Sequence, residues 1–310
     1  MSALPARRAL ALTLWCLFAL GLVLIGLRFT YGLGAIANIN DAYPWGWWVG
    51  FGVASFISLG GCGFTLALLV EIFGRHRYEP LVRPALVCGL LFYLSYMVIL
   101  CVEIGRPWKG WIVFFSWAHT SALFEIAWCA TLYTTCLLLE FGKLAADRLE
   151  WRKTGRTLAR IYLPVVVLGV TLSHFHQSSL GTMMTIVPLK VDARWWSELL
   201  PITFLLTAYL AGLSLVTVEH VLATRWLGRK PRYDLLSGLA GIQLWILLVF
   251  LVLRVGDLVY RGTVESILDA SWLSVAIWFE LLVGFLVPLT LFATRRSGHP
   301  VGGPWWARAS

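Results

Sequence analysis

The chain has 310 residues, of which 59% are hydrophobic and only 13% charged, with a mean hydropathy of +0.78 and a formal net charge of +9. So few charges cannot cover so much apolar surface in water, which excludes a soluble globular enzyme or carrier. The basic excess sorts by loop rather than gathering in one patch, and this excludes a nucleic-acid partner.

Eight apolar runs of about 20 residues follow one another, and each is long enough to cross roughly 30 Å of hydrocarbon as a helix. They predict membrane helices at 9–28, 46–73, 82–103, 120–142, 158–178, 199–223, 235–258 and 272–294. Residues 1–310 are therefore expected to form one all-α integral membrane domain in contact with lipid, with a tail at 295–310. The expected arrangement is two four-helix bundles, and the basic segment 143–160 is a candidate seam. The start, MSALPARRALALTL, reads as an uncleaved first helix, because no small-residue cleavage site follows its apolar run. Taking the termini and alternate loops as one side, eighteen Lys and Arg lie there against seven on the other. By the positive-inside bias both termini are cytoplasmic.

The first helix leads into an outer loop at 31–51, YGLGAIANINDAYPWGWWVGF. Its Asn38, Asn40 and Asp41 precede a tryptophan cluster that suits a membrane–water interface. Helix 2 carries Gly50, Gly52, Gly60, Gly61 and Gly63, small residues that permit close helix packing. Helix 3 runs out into EIGRPW, with Glu103, Arg106, Pro107 and Trp108 at its end. Helix 4 begins after His119 and places Glu125 about one and a half turns inside. Helix 5 ends in SHFHQSS, helix 6 in Glu219-His220 and helix 7 in LRVGDL, while helix 8 carries Glu280.

Ionisable groups in hydrocarbon are expensive and line a cavity or pair with each other. Asp41, Glu103, Arg106, His119, Glu125, His174, His176, Arg254 and Asp257 all fall near the predicted outer face. His174 and His176 lie about 200° apart around a helix, so only one of them faces any given site. The run His176-Gln177-Ser178-Ser179 supplies donors and acceptors suited to a ring carbonyl or hydroxyl. Arg254 and Asp257, three apart, have an intrahelical ion pair as their plainer reading. Toward the other face, Glu71, Glu140, Glu219 and His220 form, with Glu280, a candidate broken proton path.

The six cysteines all fall inside predicted spans without a CxxC, which argues against an iron–sulfur or zinc site in this chain. No metal site is expected. Bis-histidine haem ligation needs facing imidazoles at matched depth, and only His119 with His174 or His176 offers one pair. A two-haem transmembrane wire is excluded by counting.

Taken together, these segments resemble the NrfD/polysulfide-reductase membrane-subunit family, and within it the branch of the hydrogenase-2 "cytochrome b" subunit. The resemblance rests on residues 32–51, on EIFGRHRYEPLVRPA at 71–85 and on EIGRPW at 103–108. It continues through SALFEIAWCATLYTT at 121–135, LSHFHQSSLGTMMTIVP at 172–188 and LRVGDL at 253–258. It implies a subunit of the bacterial cytoplasmic (inner) membrane that exchanges electrons between a quinone, menaquinone or ubiquinone, and a ferredoxin-like iron–sulfur subunit on the periplasmic face. That subunit serves a nickel–iron hydrogenase or a molybdenum oxidoreductase, in some members with proton translocation, and no haem is implied despite the branch's name. Carried onto this chain, Asp41, Glu125 and His176 become candidates for the quinone chemistry. Trp45, His174, Gln177, Ser178, Arg254 and Asp257 become candidates for holding the ring, and Asn40, Arg106, Pro107 and Trp108 for docking the partner. Two other classes stay open: a transporter or channel built on the same intramembrane charges, and a membrane anchor without a redox site of its own.

Overall fold

A computed structural model of the chain describes residues 3–37, 39, 50–187 and 191–294. All regular structure among the described residues is helical. Eight helices are long and apolar enough to cross a membrane: α1 (Ala3–Tyr31), α2 (Ser55–Ile72), α3 (Glu79–Glu103), α4 (Ala122–Arg148), α5 (Arg152–Thr185), α6 (Leu200–Trp226), α7 (Tyr233–Tyr260) and α8 (Trp272–Ala293). Short helices at Gly34–Ala37, Ile112–Phe115 and Val264–Leu268 occupy connections.

The expected eight spans are present, and most extend beyond their apolar runs. α4 and α5 continue through the basic segment and leave only residues 149–151 as a turn, where Glu150 has φ 56°. With 34 residues, α5 reaches about 50 Å at 1.5 Å per residue, well beyond the hydrocarbon. Helical hydrogen bonding does not stop at the edge of the hydrocarbon, so hydropathy marks the buried length and not the helix end. Gly32, Gly74, Gly228 and Gly262 adopt positive φ just past the ends of α1, α2, α6 and α7, the left-handed residue that closes a helix C-terminus.

Two helices are wound irregularly. π-helical turns occupy Gly52–Ile57 and Leu68–Ile72 at the two ends of α2, and Glu280–Leu286 in the middle of α8. Such wide turns admit an extra residue and re-aim the side chains around them.

The chain divides into two compact units, residues 1–56 with 94–112, and residues 57–93 with 113–310. The division runs through α2 and α3 rather than through 143–160. In the first unit α1 presents apolar side chains between Arg8 and Tyr31, as lipid contact requires. Its Arg28 turns inward, only 5% exposed, and caps the end of α3: Nε donates to the Val102 carbonyl at 2.5 Å and Nη2 to that of Ile104 at 2.7 Å. These carbonyls lie in the last turn of α3 and just past it, where intrahelical donors run out.

In the second unit α4 and α5 pack most extensively, followed by α5 with α6, α2 with α6 and α6 with α7. One core joins Cys62, Leu66 and Val70 of α2, Leu81 and Ala85 of α3, Leu213 and Val216 of α6, and Leu235 and Leu239 of α7. Glycines bring α2 and α3 together. A Cβ on Gly63 would stand 3.2 Å from the Cα of Leu86, and one on Gly89 would stand 2.8 Å from the Gly60 carbonyl oxygen. The two backbones touch here, which only glycine allows.

Candidate functional site

The polar residues of the second unit gather into two groups. The first lies where α5 passes α4 and α3. His176 is fully buried, its ring 6.0 Å from that of Tyr93, which in turn lies 4.3 Å from Tyr133. Tyr133 is anchored through its hydroxyl, which donates to the Gly60 carbonyl at 3.0 Å. Neither ring nitrogen of His176 meets hydrogen-bond geometry, and the Ile126 backbone is a polar group beside the ring. The amide of its neighbour Gln177, also buried, has no partner for either its oxygen or its nitrogen. Buried polar atoms are satisfied in the great majority of cases, so four open ones on consecutive residues mark binding capacity.

One turn further along α5, buried Ser179 reaches across to α4. Its Oγ lies 2.6 Å from Glu125 Oε1 and 2.7 Å from the Phe175 carbonyl oxygen. Glu125 itself is exposed. The pair thus joins an accessible carboxylate to the helix face that carries His176, three residues earlier.

His174 takes the opposite part. Its Nδ1 lies 2.5 Å from the Val170 carbonyl oxygen and must carry the proton; Nε2 then accepts from the Tyr209 hydroxyl on α6. Both nitrogens are committed to the protein, so of the two histidines it is His176 that keeps its bonding capacity. Ser178, half-buried, stands between these faces.

The second group closes one end of α6, α7 and α8. Arg254 does not pair with Asp257, against the intrahelical reading. Its Nε faces Glu280 Oε1 on α8 at 3.5 Å, and Glu280 Oε2 accepts from Trp195 Nε1 at 2.5 Å. Asp257 instead accepts from Arg261 Nε at 2.9 Å and from Ser197 Oγ at 2.8 Å. The i,i+4 partner and the loop hydroxyl outcompete the i,i+3 partner because Arg254 extends away toward α8. The connecting segment is pinned above: Arg194 donates to the Ser266 carbonyl and pairs with Asp192 and Asp269, and Arg261 reaches the Ala193 carbonyl. Beneath it lies a cavity of about 310 Å³ lined by Trp195, Phe204, Thr207, Phe250, Arg254 and Glu280, among others.

The remaining expectations fall elsewhere. Glu71 is exposed, Glu219 and His220 are half-buried, and His220 accepts from the Arg232 backbone amide. Glu140 is buried with Oε1 unpartnered, and Glu280 is held by Arg254 and Trp195. Arg106 and Trp108 are exposed on the turn after α3, with Pro107 at its start; Trp108 is 64% exposed. Asn40, Asp41 and Trp45 lie outside the described residues. Sequence reasoning missed Tyr93, Tyr133, Tyr209 and Ser197, whose only signal was a polar atom in an apolar stretch.

The NrfD polysulphide reductase family model matches residues 35–301. The chain belongs to the NrfD family. Among relatives of this NrfD chain, the probable Ni/Fe-hydrogenase 2 b-type cytochrome subunit of Escherichia coli is 34% identical over 281 residues, 89% of this chain and 71% of the relative. The menaquinone reductase integral membrane subunit of Nitratidesulfovibrio vulgaris is 26% identical over 293 residues, 87% of this chain and 70% of the relative. A selenate reductase subunit of Mesobacillus selenatarsenatis is 20% identical over 223 residues, 63% of this chain and 52% of the relative. No solved structure matches.

The cytochrome in the first relative's name raises haem, and the described histidines do not fit bis-imidazole ligation. His174 is consumed by Val170 and Tyr209, His220 accepts from Arg232, and His76 lies exposed just before α3. His119, exposed, lies against the rings of Trp117 and Phe124, while His176 faces Tyr93. Among the described residues no three His, Cys, Asp or Glu gather as metal ligands, and the six cysteines are free thiols.

Proposed function

We propose that this chain is the quinone-reactive membrane subunit of a respiratory oxidoreductase of the bacterial inner membrane, with both termini in the cytoplasm. It passes electrons between menaquinone or ubiquinone and a ferredoxin-like iron–sulfur subunit on the periplasmic face. That subunit serves a nickel–iron hydrogenase or a molybdenum oxidoreductase. The relatives' names support the class, since one is a hydrogenase subunit and another a menaquinone reductase subunit. The observation that carries the reading is the unmet hydrogen-bonding capacity of buried His176 and Gln177.

A quinone supplies a two-electron, two-proton couple when bound. His176 and Gln177 bind and orient its oxygens, His176 as donor or acceptor according to tautomer and Gln177 as both. Glu125 and Ser179 handle the proton. When Glu125 is ionised, the Ser179 hydroxyl donates to it. When Glu125 is protonated, it donates to Ser179 Oγ, whose own proton turns to the Phe175 carbonyl. Both charge states keep their hydrogen bonds, so a proton is taken up or released with little rearrangement. Arg106, Pro107 and Trp108 form part of the partner's dock, and proton translocation belongs to the same proposal. A pure anchor has no use for these open groups.

The test is titration of the protein in lipid with a hydroxyquinoline quinone analogue, read by quenching of tryptophan fluorescence. Saturable binding that weakens tenfold or more in His176→Ala supports the reading. Undiminished affinity in that variant and in Gln177→Leu overturns it.

A further inference from the structure

We propose that the chamber between α6, α7 and α8 is a second ligand site, and that it takes an uncharged ring bearing a hydroxyl or keto oxygen. None of Glu125, His176, Gln177, Ser178 or Ser179 lines this chamber, so it is separate from the site around His176. Its volume of about 310 Å³ stands at the lower end of small-molecule pockets, enough for one ring system.

The walls and the head end specify the chemistry. Phe204, Phe250, Leu253 and Met184 make the walls apolar, and Phe250 is held in place by stacking on Phe285 with centroids 4.4 Å apart. At the head, Arg254 is 6% exposed, lines the cavity and leaves Nη2 without a hydrogen-bond partner. A buried guanidinium nitrogen left unpartnered is costly, and a ligand oxygen acceptor would satisfy it. Glu280 and Asp257 stand beside it with spare carboxylate lone pairs, able to accept from a ligand hydroxyl. The fixed charges cancel, Arg254 against Glu280 and Arg261 against Asp257. An anionic head group would meet two carboxylates, and a cation the Arg254 guanidinium. A neutral keto oxygen accepts from Arg254, a neutral hydroxyl can also donate to a carboxylate, and neither meets a charge penalty. In a membrane the abundant molecule of that description is a quinone or its quinol, and the inference rests on the quinone reading only for this source.

The experiment is equilibrium dialysis of menadione, a tailless naphthoquinone, against the protein in lipid nanodiscs, with empty nanodiscs subtracted. Thr207→Phe fills the chamber without touching its charges, and Arg254→Gln removes the donor. Two molecules bound per chain, falling to one in Thr207→Phe, in Arg254→Gln and in His176→Ala, is the expected result. One molecule per chain, lost in Thr207→Phe and kept in His176→Ala, supports the chamber and overturns the His176 site. One molecule per chain that ignores both chamber variants overturns the chamber and leaves the His176 site standing. Displacement of the chamber's menadione by oleate at equal concentration overturns the neutral-ring assignment, and no saturable binding overturns both sites.

Discussion

The Ser179 hydroxyl on α5 lies 2.6 Å from the Glu125 carboxylate on α4 and 2.7 Å from the Phe175 carbonyl of its own helix. One hydroxyl proton serves two acceptors, so its position reports the charge of Glu125. Ser179→Ala removes the link while leaving both helices intact. Quinol-linked turnover of the assembled complex is expected to fall at least tenfold, with affinity for a quinone analogue within threefold of wild type. Ser179→Thr, which keeps the hydroxyl, is expected to recover most of the rate. Equal turnover in the alanine variant would remove the hydroxyl from the proton route.

Tyr209 and His174 supply the contrast. Tyr209→Phe strips His174 Nε2 of its donor, a loss of about 0.5–1.5 kcal/mol in stability. Analogue affinity is expected to be unchanged, because His174 spends both nitrogens on the protein. His176→Leu, which refills the same buried space without the ring nitrogens, is expected to show the reverse, a lowered affinity with a smaller change in Tm. Paired thermal unfolding and binding curves for the two variants distinguish these outcomes.

Arg28 caps α3 with a guanidinium fork that a point charge cannot reproduce. Arg28→Ala is expected to lower stability by roughly 1.5–3 kcal/mol, the range for hydrogen bonds to a charged group. Arg28→Lys is expected to recover only part of it. Hydrogen exchange over residues 102–106 is the direct check, and it should accelerate in both variants, more in the alanine.

Gly89 lies where two backbones meet, and its substitution has nowhere to go. A methyl group there would stand 2.8 Å from the Gly60 carbonyl oxygen. Gly89→Ala is expected to destabilise by about 1–3 kcal/mol, as overpacking does. Because the Gly60 carbonyl is also the acceptor for Tyr133, the same variant is expected to weaken analogue binding at His176. Gly241→Ala, with open space around it, is the control and is expected to be neutral or slightly stabilising. Thermal inactivation of both in the same detergent decides the matter.

The eight spans could be read from hydropathy because the length of an apolar run is a local property. The pairing of residues was less accessible. Arg254 and Asp257 share one turn of α7, and spacing alone favours their pairing, yet Arg254 turns to Glu280 on the next helix and Asp257 to Arg261. Which way a long guanidinium points is decided by the neighbouring helix. His174 and His176 were correctly opposed by helical geometry, but the choice between them depends on Tyr209, whose hydroxyl arrives from another helix. Tyr93 and Tyr133 were missed because a tyrosine in an apolar run looks like packing until its hydroxyl finds a partner. The turn at 106–108 was legible from its Arg-Pro-Trp, and its Arg106 and Trp108 are exposed, as the proposed dock requires.

The wide turn that begins at Glu280 also sets the phase of α8. A π-helical stretch holds one residue more than the α-helical turns it replaces, so the two halves of α8 are offset by about 100° relative to an unbroken helix. Deleting a single apolar residue between 281 and 286 would close the wide turn. It would swing Glu280 out of line with Arg254 or drag the far half of α8 around. The charge balance of the chamber is thus written in chain length as much as in residue type. A frame shift of one position there, with every acid and base retained, would disarm it.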